Sequence, residues 1–173
     1  YMNRDWQEAV DNLKLIKLQE DSISESTCLH LGHAYLRLED IEKAKLAYAT
    51  AIRYNINPKL REEAMYNYVQ ATYIQNSALG ESVTAFQDFI REYPNSQYIN
   101  KVYALMADLY LTSKNYQSAL DALQTISTPN EQMLQTMQHL RYQLAVDAFV
   151  QGKMIDVLKW ANAVIENATQ PST

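Results

Sequence analysis

Leu31-Gly32-His33-Ala34-Tyr35, followed nine residues later by Ala44 and then by Tyr48 and Ala51, sets a frame that the chain repeats. The frame returns as Val69, Gln70 and Tyr73 with Ser82, Phe86 and Phe89, closed by Tyr93-Pro94. It returns again as Met106, Ala107 and Tyr110 with Ala119, Leu123 and Ile126, closed by Pro129. A fourth copy reads Ala145, Val146 and Phe149, then, with one residue fewer in the turn, Val157, Ala161 and Val164. The aromatic positions 35, 73, 110 and 149 lie 38, 37 and 39 residues apart, the kind of period that stacked supersecondary units leave in a sequence.

Within each copy the apolar residues recur at i, i+3, i+4 and i+7, as in Tyr66, Val69, Gln70 and Tyr73 or Tyr103, Met106, Ala107 and Tyr110. That spacing is one stripe of an α-helix. Short polar segments separate the two stripes of each copy: Leu38-Glu39-Asp40, 76–80, Ser113-Lys114-Asn115 and Gln151-Gly152-Lys153. Pro58, Pro94 and Pro129 fall between copies, where a helix must stop. Each copy therefore reads as a helical hairpin, and no strand pattern is present. The Tyr and Met stripes read as core packing.

Composition agrees. Only 3 of 173 residues are Gly, where average usage would give roughly 12, which argues against phosphate-cradling loops and tight-hairpin sandwiches. Against that stand 13 Tyr and 47% hydrophobic residues. The net charge of −5 and the scattering of Lys and Arg leave no electrostatic footprint for nucleic acid. The longest apolar stretch, Leu144 to Val150, is broken by Asp147 and is too short to span a bilayer, so direct membrane insertion is not expected. One cysteine, Cys28, excludes an internal disulfide.

The pattern resembles the tetratricopeptide repeat, whose first helix carries an aromatic, then Leu-Gly, then Tyr, and whose second carries Ala, Phe and Ala before a closing Pro. In this resemblance Tyr66, Tyr103 and Tyr142 stand at the aromatic position, which Cys28 fills in the first complete unit as a buried packing residue. Tyr35, Tyr73, Tyr110 and Phe149 take the Tyr position, and Gln70 and Val146 depart from the family's Gly. The resemblance implies an all-α fold, a right-handed α-solenoid of antiparallel helix hairpins wound as a tetratricopeptide-repeat superhelix. We expect one array over 1–173: a second helix of a truncated repeat at 1–21, then repeats at 22–58, 59–96, 97–130 and 131–173.

Two further features are read as expectations. The run Phe86, Phe89, Tyr93-Pro94-Asn95-Ser96, Tyr98 and Tyr103, with Gly80-Glu81-Ser82-Val83, resembles long cell-envelope repeat proteins of Bacteroidetes, which implies a periplasmic or envelope location. The opening half repeat (Trp6, Ala9, Leu13, Ile16) and the absence of a polar capping helix after Val164 suggest a piece of a longer array, with apolar end helices available for self-association.

The resemblance also places function on the concave face lined by first helices. Its positions are Leu29, His30, His33 and Arg37; Asn67, Tyr68, Ala71 and Gln75; Lys101, Ala104, Leu105 and Asp108; and Gln143, Leu144 and Asp147. Chaperone-tail-binding members clamp a carboxylate with Lys and Asn on this face, and that set is absent. Tyr68, Leu105 and Leu144 with Asp108 and Asp147 better suit a protein or peptide segment with apolar anchors and a basic residue. The alternative is a structural spacer or self-associating segment.

Enzyme chemistry finds little footing. His30 and His33 share a helix face at i and i+3, but Arg37 follows on that face and no carboxylate or Cys completes a metal set. Cys28 and His30 lie about 200° apart round a helix and cannot act as nucleophile and base. No phosphate loop, nucleophile elbow or His-Glu-x-x-His appears. The expectation is no catalytic residue, no metal and no cofactor.

Overall fold

The computed structural model describes residues 2–75, 79–126 and 128–168. The expected turn residues 76–78 lie outside them. Among the described residues are nine helices and no strand: α1 (Met2–Lys14), α2 (Ser22–Arg37), α3 (Ile41–Tyr54), α4 (Pro58–Ile74), α5 (Leu79–Glu92), α6 (Ile99–Thr112), α7 (Tyr116–Gln124), α8 (Glu131–Val150) and α9 (Met154–Ala168). Gly80, expected in a turn, lies in the first turn of α5.

The starts of the helices are written in the sequence. Asp21, Asp40, Asn57, Asn115 and Asn130 are N-caps whose side chains accept from the backbone N–H of Ser24, Lys43, Lys59, Ser118 and Met133, satisfying donors that the first turn leaves unpaired. Pro58 opens α4, where its missing N–H costs nothing.

The chain falls into two compact units that meet between Tyr98 and Ile99. In the first, successive helices pack from α1 to α5, and α2 also touches α4. Its core joins Val10 of α1, Cys28, Leu29, Ala34 and Tyr35 of α2, Ala44, Ala47, Tyr48 and Ala51 of α3, and Ala64 and Ala71 of α4. Gly32 is what lets α2 and α3 approach: a Cβ there would sit 2.4 Å from Tyr48 Cε1. Farther along, Phe86 and Phe89 of α5 are fully buried, each contributing about 2–3 kcal/mol of transfer free energy, and Tyr66 stacks on Tyr98 with centroids 4.2 Å apart.

In the second unit α6 packs on α7, α7 on α8 and α8 on α9, around Ala107, Ala119, Leu120, Leu123, Ile126, Met137 and Leu140. Here the structure corrects the register expected for the fourth copy. The backbone N–H of Asp40 donates to Tyr35 O (2.9 Å) and that of Asn115 to Tyr110 O (2.8 Å); the matching bond runs from Lys153 to Ala148 O (2.9 Å). In each turn the residue just before the donor, Glu39, Lys114 or Gly152, has positive φ (61°, 58°, 72°). Ala148, not Phe149, is therefore the partner of Tyr35 and Tyr110.

The repeat intervals become 38, 37 and 38, with no residue missing from the turn, and the small-residue site is Ala145 rather than Val146. The cause is that α8 is apolar on two sides. Leu140, Leu144 and Ala148 form one stripe, and Tyr142, Val146 and Phe149 another, roughly half a turn away. Leu140 and Ala148 are buried and Leu144 packs on the core, while Tyr142 and Phe149 are 55% and 62% exposed.

Candidate functional site

In the first unit the expected face brings together four groups from three helices. His30 is exposed on α2, and its Nδ1 donates to Ser26 O at 2.7 Å. The His30 and His33 rings meet edge to face at 6.0 Å, and His33 meets Tyr48 of α3 at 5.6 Å. Across the gap to α4, His33 Nε2 lies 3.7 Å from Glu63 Oε1. Burial pushes the His33 pKa below its usual value, outweighing the upward pull of Glu63, with His30 and Arg37 adding to the decrease. His33 is thus neutral at pH 7, and its approach to Glu63 is a weak polar contact rather than an ion pair.

Beneath this face lies Tyr48, expected from the repeat frame as a packing residue. Tyr48 is fully buried, and its hydroxyl has no hydrogen-bond partner among the described residues. Burial, reinforced by Glu63, raises its pKa well above the usual phenol value.

The other expected residues divide. Arg37 turns toward α1, its guanidinium 5.9 Å from the Trp6 ring centroid. Asn67 donates to Glu63 O at 2.8 Å. Tyr68 packs on the core and reaches Glu81 of α5 with its hydroxyl (3.5 Å). It also lines a cavity of about 260 Å³ with Ala49 and Ile52 of α3 and Ala85 of α5, so its ring belongs to the packing between α3, α4 and α5. Gln75 accepts from Lys45 Nζ at 2.6 Å and donates to Glu42. Leu29 and Ala71, expected on an open surface, are 1% and 0% exposed; both are core, because α2 and α4 pack directly against each other there.

In the second unit Lys101, Asp108 and Asp147 are exposed, and Ala104 and Leu105 are half-buried. Gln143 lies 3.3 Å from His139 through their side-chain nitrogens. Leu144, expected as a surface anchor, packs instead on the core with Trp160, a consequence of the corrected register. The apolar groups that α8 does expose, Tyr142, Val146 and Phe149, were read as packing residues from the sequence.

Glu25 also escaped the sequence reading. It is fully buried in the first turn of α2, and its carboxylate accepts from the backbone N–H groups of Ile56 (3.2 Å) and Asn57 (2.9 Å), tying α2 to the link between α3 and α4. The available signal was its place one turn ahead of Cys28 on the packing stripe. Among the described residues no cluster of three or more His, Cys, Asp or Glu could hold a metal ion, and no helix is long and apolar enough to cross a membrane.

Comparison with known proteins agrees with this geometry. Residues 25–55, the α2–α3 hairpin, match the tetratricopeptide repeat family model. Among solved structures, the kinesin light chain TPR-like repeats of Podosopora anserina are similar at a TM-score of 0.57 and 15% identity, over 96% of this chain and 88% of that one. BtubC (BKLC) from P. vanneervenii is similar at 0.54 and 13% identity, over 97% and 74%. No curated protein matches in sequence. The α2–α3 hairpin is thus recognised as a tetratricopeptide repeat, and the chain as a whole shares the helical fold of TPR-like repeat structures; tetratricopeptide repeats serve generally in protein–protein interaction.

Proposed function

We propose that the chain is a non-catalytic interaction scaffold that binds a protein or peptide segment on the surface of its first-type helices, α2, α4, α6 and α8. The observation that carries this is the row Tyr142, Val146 and Phe149, more than a third exposed along one side of α8. A contiguous apolar row on the surface of a folded chain favours a partner over water. Asp147 stands beside this row on α8, while Lys101 and Asp108 are exposed on α6 and His30 on α2, groups able to orient a partner.

Selection of peptides from a random library on the full chain, followed by NMR shift mapping of the selected binder, tests this. Perturbations should concentrate on α2, α4, α6 and α8. Perturbations confined to α3, α5, α7 and α9 would contradict the reading.

The envelope setting rests on the linkage around Tyr93-Pro94-Asn95-Ser96 alone. A secretion signal in the parent reading frame is its test.

A further inference from the structure

The second unit repeats the first at a spacing of 75 residues. Tyr35 and Asp40 recur as Tyr110 and Asn115, which make the same turn bond. Shifted by that spacing, α4 (58–74) and α5 (79–92) become 133–149 and 154–167, which fall within α8 and α9. In this register Met65 answers to Leu140, Val69 to Leu144 and Ala85 to Trp160.

The last of these pairs is filled differently in the two units. In the second, Leu140 belongs to the core, and Leu144 and Trp160 pack on it, so the indole of α9 is folded into the apolar interior. In the first, Met65 and Val69 are buried likewise, but Ala85 offers a methyl group where α9 has an indole. A cavity of about 260 Å³ lies there, walled by Met65, Val69 and Ala85 with Ile52 of α3 and Tyr68 of α4. Benzene already fits a cavity of about 150 Å³, so an indole has room. Ile52 and Tyr68 are only half-buried, which leaves this edge of the cavity open to solvent. Its walls belong to three consecutive helices that pack in order, so it is not a seat that another repeat hairpin would fill.

The charged groups in the wall hold one another or a neighbour. Arg61 donates to Glu92 and, at 2.9 Å, to the Tyr93 hydroxyl, while Asp88 accepts from Arg91 at 2.6 Å. Two cations and two anions pair off, and an entering ion would lose its hydration without an opposite charge to replace it. The apolar wall therefore does the choosing, and the thioether of Met65 favours an aromatic ring over an aliphatic one.

We propose that the cavity between α3, α4 and α5 is a seat for one tryptophan side chain of a partner protein, the intermolecular counterpart of Trp160. The seat goes beyond the scaffold reading: it lies apart from the α8 row, and each stands or falls without the other.

The test is a methyl NMR titration of the full chain with a Gly-Ser peptide carrying one Trp, the same peptide with Leu in its place, and N-acetyltryptophanamide. The Trp peptide should shift the Ile52, Met65 and Val69 methyls and give intermolecular contacts to them, which are read on the unaltered chain. The Leu peptide should bind at least about tenfold more weakly. Ala85→Trp supplies the ring from within; it should weaken the Trp peptide at least about tenfold while leaving the melting temperature no lower, since it fills an existing space.

Equal binding of the Leu peptide, or Trp-peptide binding that survives in folded Ala85→Trp, overturns the seat. A melting temperature far below that of the parent chain also overturns it, because the cavity then has no room for the ring. Contacts to Val146 instead of Ile52, Met65 and Val69 overturn it while supporting the α8 row. Binding of N-acetyltryptophanamide without binding of the Trp peptide overturns it too, giving the cavity to a free aromatic compound.

Discussion

Two side chains in the first unit carry the clearest consequences of burial. The Tyr48 ring fills the space that Gly32 leaves, but its hydroxyl is buried with no partner among the described residues. Tyr48→Phe keeps the ring and removes the unsatisfied group, so it should raise stability by about 1 kcal/mol in chemical denaturation; a loss of similar size would show that the hydroxyl is paired in solution. His33 has its pKa lowered in the folded state, chiefly by burial. The unfolded chain therefore takes up a proton first as the pH falls. Stability from this residue should be complete above about pH 6.5 and decline as the pH drops through and below that value. His33→Gln should flatten that slope, leaving the part that does not depend on this residue. An unchanged slope would assign the pH dependence elsewhere.

Among the elements, α2 and α8 show what was legible and what was not. The existence of the hairpins and the turns at 38–40, 113–115 and 151–153 could be read, because short polar segments between apolar stripes and Pro between copies are local signals. The face of α8 could not. It carries apolar residues on opposite sides, and the aromatic Phe149 drew the frame one residue away from Ala148. Only the backbone bond from Lys153 to Ala148 and the positive φ of Gly152 distinguish the two, and a stripe of side-chain types does not encode them.

Glu25 is the opposite case: a charged residue whose type suggests solvent, yet buried, where its carboxylate accepts from the Ile56 and Asn57 N–H groups of the link between α3 and α4. Glu25→Ala should cost about 2–3 kcal/mol, seen as a lowered melting temperature with faster hydrogen exchange at Ile56 and Asn57. Exchange unchanged at those two amides would mean that the carboxylate does not hold them.

For the molecule as a whole, the repeat explains both the scarcity of glycine and the abundance of tyrosine. Of the three glycines, Gly32 serves helix approach and Gly152 a left-handed turn that Glu39 and Lys114 adopt elsewhere. The small-residue site is otherwise filled by Gln70, Ala107 and Ala145. Of the expected surface positions, His33 meets α4 through Glu63. The apolar row on α8 was hidden, since a frame shifted by one residue exchanges the two sides of a helix.

That exchange is also where the account is most exposed. Single cysteines placed in turn at 140, 142, 144, 146, 148 and 149, titrated with a thiol reagent under native conditions, read out the face of α8 directly. The native Cys28 is buried with its pKa raised by desolvation and reacts slowly. Rapid modification is expected at 142, 146 and 149, with protection by at least about a hundredfold at 140, 144 and 148. Rapid modification at 144 with protection at 142 and 149 would contradict it.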